Sequence, residues 1–485
     1  MPNRFARLKH LFRVRNLMRV AFFILALITL WAVFCLEERW RGERLWNNYR
    51  TAAAARGVKL DMEQVVPPAV PDAENFAAIP MIRELFAAQD KGGTVPQWFK
   101  AARLSETTGK LGPGPNGEPM LDQWRDDFVK LGIVQPPATD SAAAVLSALQ
   151  LIEPELKQLR EAARRPSTKF PVPWDRGISA ILPHLGPMQQ TTKVFRLAMT
   201  AHLEKRNTDE ALECFHDGLR IYTALLSEPA LISGLVRISI LRIIEDGLVD
   251  RGALTKWSDA ELEEITSSLS KVDLTADFDF AIQSERALIN TAFDDLVSKS
   301  NLELAQVGDF IGLGKQRSTV SLYPRGWFRL SQVKMNERFD RSIDRALDVT
   351  VELPEDPLLR SDRSYFAKLP YLLYLATAPV LDSLPKRYVH ARTSHEFILA
   401  ACALEKYRRK HNAYPDNLSA LVPSFATRVP ADPMDGAPIR YRKLDDGGFS
   451  VWSIGINRID DGGKLEPQKP AMSQADWVLQ VPGKP

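Results

Sequence analysis

The sequence predicts a mainly α-helical protein: a single N-terminal transmembrane helix, an extended helical body and a small C-terminal α+β domain. Three observations carry this expectation. Residues 20–36 (VAFFILALITLWAVFCL) hold no charge. The middle of the chain repeats apolar side chains at helical spacing between recognisable caps. The C-terminal part changes to short alternating runs around a glycine-containing turn.

The apolar run comes first. Crossing ~30 Å of hydrocarbon takes about 17–25 helical residues, so the run is just long enough. Arg4, Arg7, Lys9, Arg13, Arg15 and Arg19 precede it, and Glu37 and Glu38 follow. The positive-inside rule then keeps residues 1–19 in the cytoplasm and puts the bulk of the chain on the periplasmic side of the inner (cytoplasmic) membrane. Trp31 and Trp40 suit the far interface. The run exceeds the ~7–15 residues of a signal-peptide core. Glu37-Glu38-Arg39-Trp40-Arg41 offers no small-residue cleavage site, so an uncleaved anchor is expected, with membrane lipid as the partner of residues 20–36.

Bulk composition narrows the classes. An apolar share of 45% and a charged share of 25% are ordinary for a globular chain. Once the six leading basic residues are set aside, 57 basic and 60 acidic residues remain, so no basic field exists to collect nucleic acid. Cys35, Cys214 and Cys402 are too few for a disulfide framework and read as small buried hydrophobes.

Residues 37–136 read as a helix followed by linkers and loops. Helix continues to about Ala55 and stops at Gly57. The prolines of 65–72 bar helix, and 108–119 (TGKLGPGPNGEP) form an exposed loop. Residues 137–385 read as the helical domain. A helix over 138–165 is interrupted at Pro154. Two antiparallel helices follow over 188–226, with Thr208 as the expected N-cap of the second. Leu231, Leu235, Ile238, Leu241 and Leu248 share one helical face, and Gly252 is the expected cap. Ser258 and Glu261 make a capping box, with Trp257 and Leu262 as its hydrophobic staple. Further helices are expected over 278–298 and from the turn at Tyr323-Pro324-Arg325-Gly326 to about Val351. Residues 369–381 are uncharged but short and contain Pro370 and Pro379, so a buried or interfacial segment is expected.

Residues 386–485 read as an α+β domain. Thr393 and Glu396 make a capping-box pattern that opens a helix with a stripe of Phe397, Ala400, Leu404 and Tyr407. Asp416 is the expected cap of a short helix to Leu421. Two alternating runs at 439–442 and 449–453 flank Asp445-Asp446-Gly447-Gly448, a hairpin turn, and 477–481 is the third strand.

The strings ALEKYRRKHNAYPDNLSALVP, VPADPMDGAPIRYR and FSVWSIGINRIDDGG, in this order, resemble the globular part of type II secretion major pseudopilins. The resemblance covers about residues 394–463. It implies a pseudopilin-like docking unit and secretion or pilus proteins of the envelope as partners. It also implies calcium in the loop after the Ser453-Ile454-Gly455 strand. Asn457 stands where the family has aspartate, and Asp460 and Asp461 supply hard carboxylate oxygens. The chain departs from the family in two respects. Residues 432–441 carry one residue more than the family's loop, and some 350 residues separate the membrane run from the pseudopilin-like unit, which argues against polymerisation as a filament subunit.

Catalytic motifs are absent from the sequence. No histidine falls in H-E-x-x-H spacing, no G-x-S-x-G occurs, and Gly312-Leu313-Gly314-Lys315 lacks the spacing of a phosphate loop. The expected function is that of a membrane-anchored envelope scaffold or binding protein. The alternative is a membrane-tethered hydrolase of envelope polymers working through paired carboxylates.

Overall fold

A computed structural model describes residues 14–90, 121–130, 132–136, 138–300, 303, 323–344, 356–358, 364–465 and 475–483. The expected loop at 108–119, the turn at 312–315 and the helix beyond 344 lie outside the described residues. The chain is mainly helical, with one long apolar helix near the N-terminus and a small C-terminal three-stranded sheet. In order the elements are α1 (Val14–Ala55), α2 (Pro80–Asp90), α3 (Leu121–Lys130), α4 (Ser141–Leu149), α5 (Glu153–Ala162), α6 (Leu185–Glu204), α7 (Thr208–Ala224), α8 (Leu231–Val249), α9 (Asp259–Leu269), α10 (Leu274–Ser298), α11 (Arg325–Asp344) and α12 (Leu372–His411), then β1 (Arg440–Lys443), β2 (Phe449–Ser453) and β3 (Trp477–Val481). Two compact units divide them.

The first unit holds residues up to 61, 286–341 and 354–379. Its α1 has two halves of opposite character. The first half is apolar on every side, and Phe22, Phe23, Leu25, Leu27 and Leu30 are all more than 60% exposed. Beyond it, Glu38, Gly42, Trp46, Tyr49 and Ala53 recur at helical spacing and turn one face inward. Trp46, Ala53 and Leu60 form a core there, with Val333 of α11 packed against it. Polar pairs line the same seam. The Trp327 indole donates to Glu38 (2.9 Å), Arg329 to Glu43 (3.1 Å) and the Tyr49 hydroxyl to Asp340 (2.8 Å). Asn290 and Asn336 are buried and satisfy each other at 2.7 Å. Gly57, at φ +72°, ends the run of α1 as expected.

The second unit holds 62–285, 342–353 and 380–485. Helix α6 packs against α4, α7 and α8. The break at Pro154 falls as expected, with the proline in the first turn of α5, where its missing N–H is harmless. The capping box of α9 is complete: Ser258 Oγ accepts from Glu261 N–H, and Glu261 accepts from Ser258 N–H. Trp257 and Leu262 are buried beside it. Strand β2 lies between β1 and β3, antiparallel to both, with Val451 opposite Tyr441 and Leu479.

Several expectations are corrected. Asn207, not Thr208, is the N-cap residue of α7. Leu231, Leu241 and Leu248 are buried as expected, but Leu235 and Ile238 are only half-buried, because α8 turns Gly234, Arg237 and Ile244 into the core beside them. That helix ends at Asp250, and Gly252 lies in the 3-10 turn that follows. Helix α10 starts a turn earlier than expected, capped by Asp273, which accepts from Thr275 and Ala276 N–H (both 3.0 Å). No capping box opens a helix at Thr393. Helix α12 already runs from Leu372, and the Thr393 hydroxyl bonds back to Val389 C=O (2.9 Å). The physical reason is burial: Tyr374, Ala378, Leu381, Leu384 and Tyr388 share a face and are almost fully enclosed, which outweighs the helix-breaking effect of Pro379 and Pro385. Asn417, not Asp416, caps the turn Leu418–Leu421. The cysteines are free, with Cys214 and Cys402 buried.

Candidate functional site

The second unit contains a cleft of about 780 Å³, within the ~300–1,000 Å³ typical of ligand pockets. Helix α12 supplies one wall through Arg392, His395, Glu396, Leu399 and Lys406, which recur at helical spacing. Helix α9 and the turn into α10 supply Glu263, Thr266, Lys271 and Asp273. The segment 423–430 closes the lining with Phe425 and Arg428. This surface is rich in charges and hydroxyls, so it suits a polar ligand.

Its charges are ordered by ion pairs. Lys406 holds Glu263 (2.7 Å), and Arg428 holds Glu396 Oε1 (2.5 Å), which raises the guanidinium above its ordinary value. Glu396 is 6% exposed, and its Oε2 has no hydrogen-bond partner among the described residues. A buried carboxylate oxygen in that state favours a donor from outside.

Behind the α12 wall of the cleft, His395 Nδ1 meets Glu245 of α8 at 2.5 Å, both side chains being buried. Burial alone would depress this imidazole, but the Glu245 carboxylate holds it above the ordinary histidine range. His390, five residues earlier and off that face, behaves oppositely. Burial, helped by the Arg242 charge, pushes it down to about 4, and its ring meets Trp477 edge-on at 4.6 Å.

A pH test follows. With its folded value raised, His395 adds stability that is full below about pH 6.5 and is lost as pH rises through the folded value. In Glu245→Gln the support disappears and burial depresses the same imidazole. The stability margin of the native chain over E245Q should therefore shrink by up to ~1.4 kcal/mol per pH unit above pH 6.5. Urea unfolding from pH 6 to 9 reads this, and a margin independent of pH would refute it.

The residues singled out for calcium lie in the loop after β2. Asn457 Oδ1 accepts from Ile459 N–H (3.1 Å), and its amide donates to Asp461 (3.1 Å). Asp460 Oδ1 accepts from the Trp452 indole (2.9 Å) and Gly462 N–H (3.0 Å), while Arg440 stands 3.8 Å from its other oxygen. Asp476, not anticipated from sequence, belongs with them. It is 1% exposed, binds Gly463 N–H through Oδ2 (2.8 Å) and leaves Oδ1 without a partner among the described residues. Burial first, then the Asp460 and Asp461 charges, raise its carboxyl. Asp460, Asp461 and Asp476 bring carboxylate oxygens, the donor type a hard divalent cation takes, whereas Asn457 is committed to the turn. Among the described residues no group of three or more His, Cys, Asp or Glu stands in metal-holding geometry.

The quoted sequence strings meet one another in this unit. Buried Asp432 accepts from Ser453 Oγ (2.8 Å), Ile454 N–H (3.0 Å) and Arg440 (2.8 Å), and the Tyr441 hydroxyl donates to Pro415 C=O (2.9 Å). Sequence reasoning missed the cleft. Its one local signal was the polar set Arg392, His395 and Glu396 at i, i+3 and i+4, beside the apolar stripe of Phe397, Ala400 and Leu404.

Fold and site together define a helical protein with an apolar N-terminal helix, a small antiparallel sheet and a polar cleft lined by α9, α12 and the segment 423–430. No protein-family model, curated protein or solved structure matches the chain.

Proposed function

We propose that this is a single-pass envelope protein anchored in the inner membrane by residues 20–36. Its N-terminus is cytoplasmic, and its extracytoplasmic body binds a polar partner through the cleft of the second unit. One observation carries the anchor: the apolar half of α1 has none of its candidate span buried, while the half that follows is packed. A helix apolar all round and unpartnered in protein calls for lipid. Resistance of the full chain to alkaline extraction, and protease access to its body from the periplasmic side, test the anchor and its orientation. Partner identity is tested by cross-linking in native membranes and mass spectrometry. Recovery of secretion or pilus components supports the pseudopilin-like docking role, and recovery of the protein alone removes it.

Binding is favoured over hydrolysis by the state of the carboxylates. Most glycoside chemistry needs two. Here Lys406 holds Glu263 and Asp273 caps α10, so among the described residues of the lining Glu396 is the buried carboxylate with an unpartnered oxygen and no second one faces it in that state. The hydrolase alternative requires that Glu396→Gln abolish turnover of an envelope polymer.

Calcium binding by the loop around Asp460, Asp461 and Asp476 belongs to the same reading. A chelator should lower the melting temperature of the full chain, and added calcium should restore it, because a ligand at a hundredfold its Kd stabilises by about 2.7 kcal/mol. An unchanged melting curve removes calcium from the proposal.

A further inference from the structure

The end of the apolar run in α1 is surrounded by aromatic rings of the first unit. Trp31 lies 5.4 Å from Phe34, Phe34 meets the Trp327 ring edge-on at 6.1 Å, and Tyr323 meets Trp327 at 5.0 Å. The Tyr323 hydroxyl binds Leu369 C=O (2.8 Å), which ties the uncharged segment at 369–372 to the same cluster. Leu372, the first residue of α12, is 37% exposed. Arg39 is exposed two residues beyond Glu37, and Arg325, in the first turn of α11, is half-buried and donates to Leu296 C=O (2.9 Å). Trp31 and Arg39 are eight residues apart, about 12 Å along a helix. Tryptophan and tyrosine gather at membrane interfaces, and arginine meets lipid phosphate there.

We propose that the base of the first unit, formed by the first turn of α11 and residues 369–372, is seated in the phospholipid headgroup layer of the membrane that α1 enters. This rests on the anchoring reading and goes beyond it, because an anchored body can also stand clear of the bilayer on its helix. In the seated arrangement the Trp31, Phe34, Trp327 and Tyr323 rings lie at interfacial depth. Arg39, exposed on α1, meets lipid phosphate.

The test is a depth measurement on the full chain in nanodiscs of phosphatidylcholine and phosphatidylglycerol. A nitroxide is placed at Ile28→Cys, Leu372→Cys or Leu45→Cys in a Cys35→Ser background. Collision with oxygen is then compared with collision with an aqueous nickel chelate. Leu45 is 43% exposed on α1 and nine residues past Leu36, about 13 Å, which exceeds the ~5–7.5 Å headgroup layer, so it reports water. Seating predicts an oxygen-to-nickel ratio at Leu372 severalfold above that at Leu45, and a still higher one at Ile28. A high ratio at Ile28 with Leu372 equal to Leu45 overturns the seating and leaves the anchor intact. Equal ratios at all three positions overturn both. Ala376→Cys, exposed one turn further along α12, replaces L372C should that variant not fold.

Discussion

Replacing Arg237 with methionine should lower the unfolding free energy of the second unit by about 3–5 kcal/mol, the usual loss when one partner of a buried ion pair is removed. Arg237 is fully buried on α8. Its Nε donates to Asp277 of α10 at 2.8 Å, and its Nη1 donates to Leu225 C=O at 2.9 Å. The variant leaves a buried carboxylate without its cation and takes one of two donors from the Leu225 carbonyl, which keeps Glu228 N–H (3.1 Å). Burial already raises the Asp277 carboxyl, with Arg237 opposing the shift, and in the variant that opposition is gone. A group with a raised folded value contributes stability at low pH and loses it as pH rises. The deficit of R237M should therefore be largest near neutrality and shrink on acidification, as the neutral acid becomes tolerable. The double variant R237M/D277L, which removes both charges, should recover most of the loss. Urea unfolding at pH 5 and 7.5 reads all three. An R237M chain within 1 kcal/mol of the native one would show that the pair does not hold this core.

Gly326→Leu should separate α1 from α11 and destabilise the first unit by about 3 kcal/mol, at the upper end of overpacking effects. A Cβ on Gly326 would stand 1.8 Å from the Glu38 carbonyl oxygen, and one on Gly42 would stand 2.4 Å from the Gly326 carbonyl oxygen. Both obstacles are backbone, so no side chain can swing away. Only a shift of one helix along the other makes room. That shift should also break the Trp327–Glu38 hydrogen bond and move the indole emission. Gly186→Ala is the control, since a Cβ there meets nothing within 4 Å. Circular dichroism melts in nanodiscs check the pair of variants. Equal melting temperatures for G326L and G186A would contradict the close crossing.

What was legible in the sequence was what one or two turns of chain decide. The apolar run, the capping box at Ser258 and Glu261, the stop at Gly57, the break at Pro154 and the three strands around Asp445–Gly448 are each set by neighbours within a few residues. The errors fell where distant burial outweighed local chemistry. Thr393 and Glu396 form a sound capping pattern, yet the enclosed face from Tyr374 to Tyr388 carries the helix straight through it.

The sequence by itself determined the helical class, the long apolar helix and the small terminal sheet, because hydrophobic period and turn chemistry are local properties. Only the tertiary structure decided the rest. It buried Arg237 against Asp277, 40 residues away. It joined His395 to Glu245 across 150 residues, and it left Glu396 Oε2 without a partner among the described residues. A charge on a helix reads as solvent-facing until its partner is known, and that partner is chosen by packing between elements that no local pattern records.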